Sequence, residues 1–82
     1  MIVVKVDGTA TQDDRQPDMK TLYELCETDI VEVVPHVHAI CDEEATFKGK
    51  PINTVASRWL RLPLCGPVVF LTDKEWKVFI NA

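Results

Sequence analysis

Three groups of side chains in this 82-residue chain have types and spacing that could do chemistry. The first is His36 and His38, two apart, with Cys41 three residues on. Alternation along a β-strand would put both imidazoles on one face, within reach of a single zinc ion. Cys41 then falls on the other face, and no spacing makes Cys26, Cys65 or Asp42 the missing ligand. His36 and His38 are thus the metal candidates of the chain, and no metal site is assigned to them. The second group is Asp42-Glu43-Glu44, three carboxylates in an expected turn. Acid–base catalysis needs one carboxyl buried or crowded enough to shift its pKa. An exposed turn offers neither, so a solvated acidic turn is expected. The third group is Lys48, Lys50, Asn53 and Arg58. Asn53 is a good N-cap for a helix from Thr54 to Leu60. The N–H groups of that helix start, beside basic side chains, could hold an anion such as phosphate.

A nucleophile is harder to find. Ser57 is the single serine, sits inside the expected helix and lacks a G-x-S-x-G setting. Cys41 and Cys65 lie in apolar stretches, which suits inert thiols. The cysteine count is odd, the spacing is wide and no C-x-x-C occurs, so reduced cysteines are expected. Three glycines make no phosphate-cradling loop. No catalytic residues and no cofactor are assigned.

The elements that must carry these groups follow from the apolar pattern. Ile2 to Val6 reads as a strand, and the polar residues 7 to 17 read as a loop. Pro17 and Asp18 open a helix whose stripe is Met19, Leu22, Tyr23 and Cys26, widened by Leu25. Ile30 to Val34 is a second strand, stopped by Pro35 at a bulge, turn or sheet edge. Val37 to Cys41 is a third, and Thr46-Phe47-Lys48 a short return strand ending at Gly49. The Asn53-capped helix buries Val55, Ala56, Trp59 and Leu60 on one face. Val68 to Leu71 is wholly apolar and belongs at the sheet centre. Thr72 to Glu75 has the spacing of a capping box. Trp76, Phe79 and Ile80 then favour a helix over a competing strand. The order is β-α-β-β-α-β-α, a single α+β domain over residues 1–82. Its helices are expected on one face of a small, mostly antiparallel sheet.

Composition is that of an ordinary globular chain, 46% hydrophobic and 27% charged, which excludes disordered and collagen-like classes. The net charge of −4 is unevenly spread. Residues 1 to 45 hold eleven acids and three bases, whereas residues 46 to 82 hold six bases and two acids. A sequence pI near 5.0 and the lack of a helix basic along one face argue against sequence-specific DNA binding. Met1 runs into Ile2-Val3-Val4 with no basic leader, and no apolar run is long enough to span a bilayer. Both point to a cytoplasmic protein without membrane contact. Oligomeric state is not readable from the sequence.

The stretch from Val31 to Phe70 carries a resemblance. Val31-Glu32-Val33-Val34-Pro35 resembles the "IEVVPL" segment of a family of small proteins from phages, bacteria and large DNA viruses, known only as domain of unknown function number 3846. Ile40-Cys41-Asp42-Glu43-Glu44 is similar to its "VCNEEG". Phe47-Lys48-Gly49-Lys50-Pro51-Ile52-Asn53 is similar to its "LKGLPPN", and Gly66-Pro67-Val68-Val69-Phe70 also matches. Ala45 stands where the family has a turn glycine, and Ile52 where a second proline is common. The resemblance implies a viral or mobile-element protein, acting in the host cytoplasm if viral, and brings no catalytic residues. The combined expectation is a non-enzymatic accessory protein that acts by binding. A host or viral protein would dock on the acidic first half and the edge near Pro35. The alternative is a phosphate-bearing small molecule or nucleotide at the basic face beside Asn53.

Overall fold

Val68-Val69-Phe70, apolar on both sides, lies where such a strand is needed, in the middle of a five-stranded sheet. The computed structural model of the chain describes residues 1–81. In chain order the elements are β1 (Ile2–Val4), β2 (Ala10–Gln12), α1 (Met19–Cys26), β3 (Val31–Val34), β4 (Ala39–Asp42), α2 (Thr54–Leu60), β5 (Val68–Phe70) and α3 (Asp73–Ile80). The strands run in the spatial order β2-β1-β5-β4-β3, and every neighbouring pair is antiparallel. The α+β class holds.

The helix boundaries follow local chemistry. Asp18 caps α1 by accepting from the Thr21 N–H, and Glu27 ends it in the left-handed region without a glycine. Thr72 and Glu75 form the complete capping box of α3. With both helix-start donors satisfied there, the competing strand loses. The Met1 amino nitrogen adds a tie, 2.6 Å from Glu75 Oε2.

Several expectations are corrected. Residues 7 to 17 are not all loop: Ala10–Gln12 pairs with Ile2–Val4 as a short edge strand, because Gly8 at φ +91° turns the chain back. Thr46-Phe47-Lys48 is not a strand but part of a helical turn, with the Lys48 N–H donating to the Glu44 carbonyl at 3.0 Å. Val37 to Cys41 is not one strand either. Pro35–Val37 is a 3-10 turn and His38 is left-handed at φ 53°, so β4 begins at Ala39. Proline cannot donate to the ladder, and the hairpin bends at that point.

Helix placement differs as well. Met1, Val3, Leu22, Cys26, Ile40, Val69 and Leu71 form one core, closed by α1 and α3. Val4, Val34, Ala39, Cys41, Ala56 and Val68 form a second core on the opposite face, closed by α2. The helices therefore cover both faces rather than one. With only seven residues, α2 is too short to cover a five-stranded sheet, which leaves Trp59 tilted on Phe70 and 58% exposed. The expectation of a buried Trp59 fails for that reason. In α1 the buried line is Leu22 and Cys26, with Met19 and Tyr23 half-exposed on one flank. No helix among the described residues is long and apolar enough to cross a membrane.

Candidate functional site

Ile40 and Asp42 share a face of β4 by alternation, and that face is the α1 side of the sheet. Asp42 is therefore an inward-pointing acid, buried rather than solvated. Two cations meet it. Lys50 Nζ lies 2.7 Å and Lys48 Nζ 3.1 Å from Asp42 Oδ2. The Glu44 N–H donates to Asp42 Oδ1 at 2.9 Å. Burial opposes ionisation of this carboxyl, yet Lys50, the Glu44 N–H and Lys48 outweigh it and hold the carboxyl well below the usual carboxylate range.

Lys50 does more than pair. Its ammonium also donates to the carbonyls of Cys26 at 3.1 Å and Glu27 at 2.6 Å, at the negative end of α1. The stem reaches there by passing over Gly66, where an added Cβ would lie 3.0 Å from Lys50 Cδ. Gly66 also takes φ +75°, so a side chain there is excluded on both counts. Lys48 bonds Thr28 Oγ1 at 2.8 Å. The node of Asp42, Lys48 and Lys50 thus ties the turn after β4 to the end of α1.

That turn is closed from within by the Ala45 N–H to Asp42, Gly49 N–H to Thr46 and Lys50 N–H to Ala45 carbonyls. At its tip Phe47 is 91% exposed, beside exposed Glu43 and Glu44. An aromatic side chain held out of the core in this way forgoes about 2 kcal/mol of burial free energy. The Glu43 N–H donates to the Ile30 carbonyl at 3.2 Å, so the turn sits at the head of β3.

The four residues expected to hold an anion are used otherwise. Lys48 and Lys50 are both drawn onto the Asp42 carboxylate. Asn53 is fully buried. Its Oδ1 accepts from the Ala56 N–H at 3.0 Å, and its Nδ2 donates to the Val4 carbonyl at 2.8 Å and the Gly66 carbonyl at 3.0 Å. Every polar atom of that amide is committed to joining α2, β1 and the segment before β5. Arg58 is exposed on α2 and takes part in no ion pair among the described residues. An anion beside Asn53 would have to displace a buried carboxylate to gain the lysines.

His36 and His38 are also separated from their expected common face, because the 3-10 turn replaces the strand that would have aligned them. His38 lies flat on Trp76, with ring centres 4.6 Å apart and planes within 5°. Its Nδ1 is 3.3 Å from Asp73 Oδ1, so it links the hairpin to α3. His36 is exposed. Among the described residues no three His, Cys, Asp or Glu side chains gather as a metal site.

Ser57 Oγ accepts from the Leu64 N–H at 3.0 Å and closes the loop after α2. Burial pushes the Cys26 thiol up to about 12 and the Cys41 thiol up to about 11. Iodoacetamide at neutral pH should therefore modify half-exposed Cys65 in the folded protein and reach Cys26 and Cys41 only in urea. Peptide mass spectrometry reads this directly, and Cys41 reacting as fast as Cys65 without denaturant would contradict it.

The Asp42 node escaped the sequence reading, although a signal for it exists. A charged residue two after Ile40, on the buried side of an alternating strand, needs a partner, and the next basic residues are Lys48 and Lys50. Comparison of the chain with family models, curated proteins and solved structures returns no match. The likeness drawn from short motifs therefore stays a resemblance.

Proposed function

We propose that this protein is a non-enzymatic binding module whose partner is a protein, host or viral, docked around the turn at Phe47. One observation carries the reading: an almost fully exposed phenylalanine stands on a turn pinned by a three-charge node around buried Asp42. Aromatic side chains dominate interface energetics when they fill a partner's pocket. A turn that is already ordered loses little conformational freedom on binding. The acidic motif and the viral family that it resembles fit an accessory role of this kind. The anion-binding alternative loses support because its lysines and Asn53 are engaged within the protein.

A photo-crosslinking phenylalanine analogue at position 47, introduced in the cells that make the protein, tests the reading. One dominant adduct is expected, competed away by the unlabelled protein and not by a Phe47→Asp variant of unchanged stability. The same analogue at Val78, an exposed apolar position on α3, should give no such adduct. Equal labelling from both positions, or none from either, would reject the proposal.

A further inference from the structure

The free edge at β3 has its hydrogen-bonding groups set by register. The Ile30 carbonyl accepts from the Glu43 N–H, and each β3–β4 partner pair keeps the same phase. In an antiparallel ladder bonded and non-bonded pairs alternate, so Glu32 bonds Cys41, Val34 bonds Ala39, and the N–H and C=O groups of Val31 and Val33 point away from the sheet. Among the described residues neither valine's backbone has a partner outside the ladder. Two open residues in phase are the template for strand addition.

What flanks this edge defines the strand it fits. On one face, α1 lies over β5, β4 and β3. Glu24 and Leu25 line a groove beside Val3 and Thr11, so that flank of α1 faces β1 and β2. At 100° per residue, Met19 and Tyr23 fall on the opposite flank, over β3. Both are half-exposed. An added strand would therefore find apolar surface on the side of Val31 and Val33. On the other face Glu32 is exposed and takes part in no ion pair among the described residues. Asp29, Glu43 and Glu44 extend the same negative charge around the head of β3.

Resting on the protein-binding reading above, we infer that the β3 edge accepts an extended, antiparallel partner segment of apolar–basic–apolar pattern, its lysine or arginine opposite Glu32. The two apolar residues stand opposite Val31 and Val33, beneath Met19 and Tyr23. The same geometry disfavours a second copy of this chain. Pairing two β3 edges about a twofold axis with all four open valines bonded puts Glu32 directly against Glu32, and like charges in that position destabilise a sheet. The β2 edge offers no comparable setting, since all three of its residues are exposed and none is apolar beyond Ala10.

The test uses a short capped peptide with a central Val-Lys-Val flanked by threonines, and amide hydrogen exchange read by NMR. Saturating peptide is expected to slow exchange at Val31 and Val33 at least tenfold. Methylating the two valine nitrogens of the peptide should abolish the effect, and a glutamate in place of its lysine should weaken binding about fivefold. In a Glu32→Lys variant the order of the two peptides should invert. No protection at Val31 and Val33 with any peptide, or a preference that does not invert, overturns the inference. Protection that grows with protein concentration without peptide would assign the edge to a second copy and also overturn it. Crosslinking at Phe47 that persists without strand addition would leave the binding module standing and remove this mode of binding.

Discussion

Asp42→Asn is expected to lower folding stability by about 3 kcal/mol at pH 7, because it leaves two partly buried ammonium groups without their counter-charge. A domain of this length holds about 4–12 kcal/mol in total, so the loss is a large share of it. Lys50 would keep the Cys26 and Glu27 carbonyls and Lys48 would keep Thr28, which limits the loss. Urea denaturation should show a lower midpoint with an unchanged slope. Acid provides the sharper test. The folded-state pKa of Asp42 is depressed, so its contribution is complete above the unfolded value near 4 and disappears as pH falls toward the folded value. The wild-type and Asp42→Asn stability curves should therefore converge below pH 4. Parallel curves from pH 7 to pH 2 would show that the pair contributes no net charge stabilisation.

Asn53→Ala should cost a similar amount, about 3 kcal/mol. The loss of the N-cap accounts for about 1 kcal/mol. The Val4 and Gly66 carbonyls, left buried without the amide donors, account for about 1 kcal/mol each. Asn53→Asp distinguishes this structural role from ligand binding. It keeps the cap acceptor but turns an oxygen toward two carbonyls, so it should destabilise at least as much as alanine. If Asn53 served chiefly to cap α2, the aspartate variant would instead match the wild type in a denaturant titration.

Phe47 and Glu32 differ from these two because their expected effects fall on binding and leave folding intact. Phe47 contributes almost nothing to the core, and Glu32 is exposed at the sheet edge and belongs to neither core cluster. A Phe47→Asp variant with unchanged stability is therefore a clean probe of the interface. Losing stability there would mean that the side chain packs within the fold.

Much of the fold was legible in the sequence because its local and burial signals agree. Asn53 and Thr72 are cap residues followed by periodic apolar positions, and each opens a helix where expected, while Asp18, expected in the first turn, caps a helix that begins one residue later. Val68 to Phe70 is apolar on both sides and lies between neighbours on both edges. β2 was not legible, since Ala10-Thr11-Gln12 is polar and exposed and is a strand only because β1 offers it a ladder. Phe47 misled in the opposite sense. A β-prone aromatic between turn residues read as a strand, while the lysines on either side of Gly49 were drawn back to Asp42 and wound the segment into a turn.

The sequence by itself determined the α+β class, the three helix starts, the central strand and the uneven spread of charge. These depend on each residue's own conformational preference and on periodicity within a few neighbours. Only the tertiary structure decided what the charges do. Asp42 gathers Lys48 and Lys50 because strand alternation turns the acid inward and Gly66 leaves room for a lysine to cross. Asn53 is a fully bonded core residue because three separate segments converge on its amide. Phe47 stands on a turn outside both cores, and the Val31–Val33 edge is open because among the described residues no strand continues the sheet beyond β3. Each outcome depends on groups far apart in sequence meeting in space, and no local pattern records that.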